Sequence, residues 1–227
     1  MKIKDYCIVN NGIKPTNNED NIYANGFFLS RYNDGINNYE SKINSTRNEL
    51  VYAIFDGIGG LSNGELASFI GVSNVNNGIK YINKKLLEIK KEQNIELGTT
   101  CCIARIKGSM MHLEQVGDSP VYIYSNSKLI KFIEKNNDSN LLDNYLGNNN
   151  YIYILNNDIK LKRNDIVLMC SDGLSSLLND EEIISILKSN NDIKFMSYKL
   201  VNEALKKGGN DNISIIILKI EKFLGLV

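Results

Sequence analysis

The sequence has one histidine, four cysteines, no excess of charge of either sign and no long apolar run, and each shortage excludes a class of function. His112 alone cannot complete a zinc set with Cys7, Cys101, Cys102 and Cys170, none of which forms a C-x-x-C pair. On a strand, Cys101 and Cys102 would face opposite ways, so the four are read as reduced, buried thiols. His112 lies in the run MHLEQV, outside any motif, and reads as an ordinary strand residue. Lys+Arg and Asp+Glu are both 26, which argues against a broad nucleic-acid or membrane-surface footprint. The longest apolar runs, such as ISIIIL, are too short to cross a bilayer. The opening MKIKDYCIVNNG lacks the apolar stretch of a signal peptide, so a cytoplasmic protein is expected. Without an internal repeat, a Pro/Gly linker or a composition shift, the 227 residues are expected to form one domain spanning 1–227. The abundance of Asn, Ile and Lys reads as codon bias of an AT-rich genome.

What is present is patterned. From 65 to about 91, Leu66, Phe69, Ile70, Ile79, Ile82, Leu86 and Ile89 recur at three- and four-residue steps, which predicts helix. Gly71 and Gly78 predict a bend or break within it. From 98 to 132 the short runs TTCCIARI, MHLEQV, PVYIYS and KLIKFI, separated by turn residues, predict consecutive antiparallel hairpins. YIYIL and DIVLMC extend the β content, 180–189 and 193–207 read as helices, and NISIIILKI reads as a strand buried on both faces. The Asn-rich stretch 31–48 reads as a surface loop. Strict β-α-β alternation is missing, which favours an α+β fold with helices packed outside antiparallel sheets.

Four acidic clusters adjoin these β runs. They are NNED at 17–20, Asp56 and Gly57 after VYAIF, Ser171, Asp172 and Gly173 after IVLMC, and Asn210, Asp211 and Asn212 before ISIIIL. Carboxylates at the mouths of buried strands are costly unless a cation neutralises them, and no Lys or Arg lies inside the clusters. Gly57, Gly59 and Gly60 allow a tight turn after Asp56, and the Gly57 carbonyl is a further hard oxygen. A lone Asp-Gly is usually only a turn; four such clusters at strand ends are a stronger signal. All-oxygen sites suit Mg²⁺ or Mn²⁺. Two such ions can activate a water for attack on a phosphate ester, with neither a histidine nor a serine nucleophile. A dinucleotide loop at Gly57 is disfavoured, because Ser62 holds the sixth position of G-x-G-x-x-G and βαβ alternation is absent. A serine hydrolase is disfavoured too: Ser171 is not in G-x-S-x-G and His112 has no motif partner.

NNED (17–20), VYAIFDGIGGLSNGELAS (51–68), LGTT (97–100), VGDSPVYIY (116–124), LMCSDGLSSLL (168–178) and GGNDNISIIIL (208–218) together resemble the metal-dependent Ser/Thr protein phosphatases of the protein phosphatase 2C (PPM) family, in its compact bacterial form. The resemblance implies a central antiparallel β-sandwich flanked by helices on both sides, four layers in the order αββα. It implies two Mn²⁺ or Mg²⁺ ions and a weak third. Asp56 would bridge the pair, Asp172 and Asp211 would bind one ion, and Glu19 and the Gly57 carbonyl the other. Asp56 and Asp172 would carry catalysis through a metal-activated water, with no side-chain nucleophile. Asp20 and Asn212 would support the ligands, and Asp118 would help hold a third ion. The substrates implied are phosphorylated proteins made by a Ser/Thr kinase, within signalling; no nucleic-acid or membrane partner is expected. The chain departs from the family at several places. Pro15 stands where an Arg grips the substrate phosphate, with Lys14 beside it as a point-charge substitute. Leu61 and Ile58 stand where relatives carry His, Ser176 where many carry Asp or Asn, and the flap is trimmed to about 134–140. The rival reading is a catalytically weak or inactive domain of this type used for binding or sensing; the full set of carboxylate ligands argues against it.

Overall fold

A computed structural model describes residues 1–43, 48–58, 61, 63–133, 144–189 and 192–222. Its strands are β1 (Lys2–Asn10), β2 (Asp20–Ala24), β3 (Phe27–Phe28), β4 (Ile36–Ile43), β5 (Leu50–Asp56), β6 (Cys101–Lys107), β7 (Met110–Val116), β8 (Val121–Ser125), β9 (Lys128–Phe132), β10 (Leu155–Lys160), β11 (Ile166–Cys170) and β12 (Ile213–Lys222). The helices are α1 (Gly64–Ser73), α2 (Ile79–Gln93), α3 (Asp172–Ser175), α4 (Asp180–Ser189) and α5 (Ile193–Lys206).

Side-chain alternation sorts these elements into layers. Along β12, Ile216, Leu218 and Ile220 enter one core while Ile213, Ile215 and Ile217 enter another. Along β5, Tyr52 and Ile54 share the first of these cores, and Val51, Ala53 and Phe55 enter a third. A strand that buries both faces must lie between two layers. The shared core is the filling of a sandwich. One sheet runs β4-β1-β12-β11-β8-β9 and the other β10-β7-β6-β5-β2-β3, with every pairing antiparallel. Helices α3, α4 and α5 cover the outer face of the first sheet, and α1 and α2 that of the second. The fold is the expected four-layer αββα sandwich.

The helix break falls between α1 and α2, where a 3₁₀ turn spans Val75–Asn77 and Gly78 has φ +83°. Gly71 stays helical; a Cβ there would press on the Phe55 ring, so its glycine serves close packing on β5. Cys101 and Cys102 do face opposite cores, and all four cysteines are buried free thiols. No helix among the described residues is long and apolar enough to cross a membrane.

Three local expectations change. The stretch 31–48 is not simply a loop: Ile36–Ile43 pairs along β1 as an edge strand, with Tyr39 stacked on Phe27 at 4.1 Å. An edge strand needs only one apolar face, and the Asn-rich composition hides that weak alternation. YIYIL mostly precedes its strand, since β10 starts at Leu155 and runs on through Asn156, Asn157 and Asp158. MHLEQV and PVYIYS are not a hairpin either; β7 and β8 lie in different sheets, and the chain crosses between them at 117–120, with Gly117 at φ +91°. The expected flap at 134–140 lies outside the described residues.

Candidate metal centre

The acidic clusters meet because of where their strands end. Asp20 opens β2 and Asp56 closes β5, and the two are cross-strand partners. Asp172 opens α3 immediately after β11, and Asp211 precedes β12, the strand paired with β11. Each sheet thus delivers two aspartates to one end of the sandwich. Glu19 and Gly57 extend the second-sheet pair, joined by a bond from Gly57 N to the Glu19 carbonyl at 3.2 Å. Thr100 N and Thr99 Oγ1 both donate to the Asp56 carbonyl, at 2.8 and 2.9 Å, which fixes the turn after β5.

Glycines permit the close packing. A Cβ on Gly64 would lie 2.7 Å from Glu19 Oε2, and one on Gly57 2.7 Å from the Glu19 carbonyl. A Cβ on Gly173 would run into the Asn212 carbonyl, so the start of α3 at Gly173 packs directly against the 211–212 segment.

Asn212 ties the halves together. Its Nδ2 donates to the carbonyls of Asn11 and Asn17 at 2.9 and 3.0 Å, and its Oδ1 accepts from Glu19 N at 2.8 Å. Its side chain is therefore a fastener of the 11–19 segment. Ser171 adds a second tie: its hydroxyl accepts from Ser214 N at 2.9 Å and donates to the Asn212 carbonyl at 3.3 Å.

The electrostatics are those of uncompensated negative charge. Burial, and then Asp20, Asp172, Asp211 and Asp118, hold the Asp56 carboxyl well above the usual carboxylate range. Burial, Asp118 and Asp211 push Asp172 up to about 6. Burial pushes Asp20 up to about 7, although the nearby Ser214 and Ser171 hydroxyls favour its charged form. Glu19 is raised by burial, then by Glu65 and Asp211. Asp20 is 1% exposed, and its Oδ2 makes no well-formed hydrogen bond. Among the described residues none of these carboxylates has an ion-pair partner. The described residues contain no close-drawn group of three or more His, Cys, Asp and Glu that would by itself hold a metal. They contain a looser ring of carboxylates whose charges act on one another, with an orphaned buried oxygen at Asp20. Such a ring suits a hard divalent cation that also takes carbonyl and water ligands.

Glu19, Asp20, Asp56, Gly57, Asp172 and Asp211 are thus brought together. Asp118 is exposed on the 117–120 crossing and adds its charge to Asp56 and Asp172. Lys14 is exposed on a loop that Ile13 N pins to the Gly209 carbonyl at 2.8 Å, beside the Asp211 segment. Ser176 caps α3 and is exposed. His112 lies away from the cluster on β7, 2.7 Å from Asp158 Oδ1, as an ordinary strand residue. Sequence reasoning missed the pair between Arg31 and Glu65, whose partners are 34 positions apart; Arg31 Nη2 lies 2.7 Å from Glu65 Oε1. It named Asn212 as a support for the ligands, and the structure shows the side chain clamping the 11–19 segment.

No protein-family model matches the chain. Serine/threonine phosphatase stp of Listeria welshimeri is 23% identical over 214 residues, covering 76% of this chain and 85% of its own length. The crystal structure of the Mycobacterium tuberculosis serine/threonine phosphatase PstP/Ppp superposes with a TM-score of 0.77 at 21% identity, covering 98% of this chain and 100% of its own. The chain has the fold of the bacterial serine/threonine phosphatases. The catalytic domain of PstP, solved in complex with two manganese ions, superposes equally well, with a TM-score of 0.77, 20% identity, and coverage of 98% of this chain and 100% of its own. The likeness covers nearly the whole of this chain.

Proposed function

We propose that this chain is a protein serine/threonine phosphatase that uses two Mn²⁺ or Mg²⁺ ions. One observation carries the reading: carboxylates from both sheets converge at one end of the sandwich with no basic partner among the described residues. The phosphatase names of the relatives and the manganese pair reported for PstP support it.

In this reading Asp56, which feels the charge of Asp20, Asp172, Asp211 and Asp118 together, would be a ligand common to both ions. Asp172 and Asp211 would hold one, Glu19 and the Gly57 carbonyl the other, and Asp118 would contribute to a weaker third position. When bound, the ions act as Lewis acids and lower the pKa of a water for in-line attack on a phosphomonoester. The residues of the chain set the geometry. Asn212 holds Glu19 in place, Thr99 and Thr100 hold Asp56, and Lys14 meets the substrate phosphate from the loop above Gly209. No side chain serves as nucleophile. Phosphorylated proteins made by a Ser/Thr kinase, a place in signalling and a cytoplasmic location belong to the same proposal.

The deciding experiment is hydrolysis of p-nitrophenyl phosphate with and without Mn²⁺, beside Asp172→Ala. We expect Mn²⁺-dependent turnover that falls by about 10²-fold or more in the variant. Turnover absent, or untouched by the substitution, overturns the enzyme reading; Mn²⁺ binding without turnover favours a sensing domain.

A further inference from the structure

The chain passes from one sheet to the other at 117–120, between β7 and β8. Asp118 is exposed on this crossing and adds its charge to both Asp56 and Asp172. Its place depends on what holds the crossing.

The crossing is fastened beside each of these aspartates. The Pro120 carbonyl accepts from Cys170 N at 3.2 Å, two residues before Asp172. On the other side, the hydroxyls of Ser119 and Thr100 share a hydrogen bond, with 2.8 Å between their oxygens. Thr100 N in turn donates to the Asp56 carbonyl. Gly117 packs on the same threonine, where a Cβ would lie 2.8 Å from Thr100 Cγ2. Gln115 adds a further tie: its Nε2 donates to the Ser119 carbonyl at 3.1 Å and to the Phe132 carbonyl, at the end of β9, at 3.2 Å.

These side chains are sealed in: Thr100 is 5% exposed, Ser119 1% and Gln115 0%. The backbone ladder between β6 and β7 runs from Cys101 opposite Val116 to Lys107 opposite Met110 without their help. Gln115 also leaves its Oε1 buried without a well-formed hydrogen bond. A half-answered amide between two sheets stabilises less than an apolar side chain of the same size, so packing alone does not account for it.

We propose that Ser119 and Gln115 are positioning residues. Ser119 acts through Thr100, and Gln115 through the Ser119 backbone. Together they hold Asp118 at a fixed place relative to Asp56 and Asp172, where its carboxylate serves the metal centre. This role rests on the phosphatase reading above and adds to it the residues that set Asp118.

The test measures Mn²⁺ affinity of the full chain by isothermal titration calorimetry, while p-nitrophenyl phosphate turnover reports separately on the phosphatase reading. We expect Ser119→Ala, and Gln115→Met at similar volume, each to weaken Mn²⁺ binding about tenfold. Thr100→Ser keeps the hydroxyl and should stay within about threefold of wild type. In an Asp118→Asn background the Ser119→Ala loss should shrink to within about threefold, because no carboxylate is left to position. A role in packing alone lowers the melting temperature and leaves Mn²⁺ affinity within about threefold, which overturns the positioning. A loss that persists beside Asp118→Asn overturns it too. Mn²⁺ binding without turnover removes the phosphatase reading, and the affinities still decide the positioning. If the wild type binds no Mn²⁺, hydrogen exchange of the metal-free chain decides it. Amides of 117–119 that exchange about tenfold faster in Ser119→Ala, with β5 unchanged, sustain the positioning, and unchanged exchange overturns it.

Discussion

At the residue scale, the acidic cluster makes the metal-free protein sensitive to pH in a direction opposite to ordinary salt-bridged carboxylates. Asp20 at about 7 and Asp172 at about 6 both lie above the unpaired value of 3.8. Between about pH 4 and pH 7 the folded chain therefore keeps protons that the unfolded chain releases, so stability is full below that window and is lost as pH rises through it. In EDTA, the melting temperature is expected to drop by about 5 °C or more from pH 5 to pH 8, followed by differential scanning fluorimetry; a flat or rising profile would count against uncompensated carboxylates. Lys14 makes a second residue-level prediction. As a point charge on the substrate phosphate, its loss in Lys14→Ala should raise KM for p-nitrophenyl phosphate about fivefold with little change in kcat. An unchanged KM removes Lys14 from the site and leaves the place of Pro15 without a cationic substitute.

At the scale of elements, the site depends on how loops are fastened to strands. Asn212→Ala deletes the three bonds by which the Asn212 side chain, just before β12, holds the 11–19 segment. We expect Mn²⁺ affinity by calorimetry to fall about 10-fold or more, with a lower melting temperature. Gly71→Ala should destabilise by about 1–3 kcal/mol in urea titration, since its methyl group meets the Phe55 ring, whose Cγ would lie 2.7 Å away. Much of this layer was legible in the sequence. α4 runs over the Asp180–Ser189 span that its apolar spacing indicates, and β12 buries both faces as its unbroken Ile run requires. The aspartates were legible because a carboxylate at the end of an apolar strand has few structural uses. β4 was not, because an edge strand rich in Asn carries little period-2 signal, and β10 was not, because LNNDIK alternates on an exposed edge. Nor was the Arg31–Glu65 pair, since nothing local joins its partners. The β7–β8 crossing is a tertiary choice that turn residues alone do not report.

At the scale of the whole molecule, the proposed cation, held by Asp56 at the end of β5 and by Asp172 and Asp211 beside β11 and β12, would join the two layers. Saturating Mn²⁺ at about 100 times its Kd should then stabilise the fold by about 2.7 kcal/mol. The expected rise in melting temperature is about 5 °C or more for a chain of 227 residues. Asp172→Ala should erase that rise, and a wild-type melting temperature indifferent to Mn²⁺ would contradict a site shared by the sheets.

The pairing of β1 with β12 also sets a timetable. Lys2 pairs with Lys222, and β12 lies between β1 and β11 in the finished sheet. A ribosome that has made only the first 210 residues carries a chain whose β1 and β11 have no common neighbour. Such a nascent chain has not yet gained Asp211 or Asn212, so the 11–19 segment hangs unfastened. Contacts this distant in sequence form slowly, and apolar strand faces wait uncovered until the strand arrives. Convergence of the four aspartates is therefore tied to the making of residues 211–222.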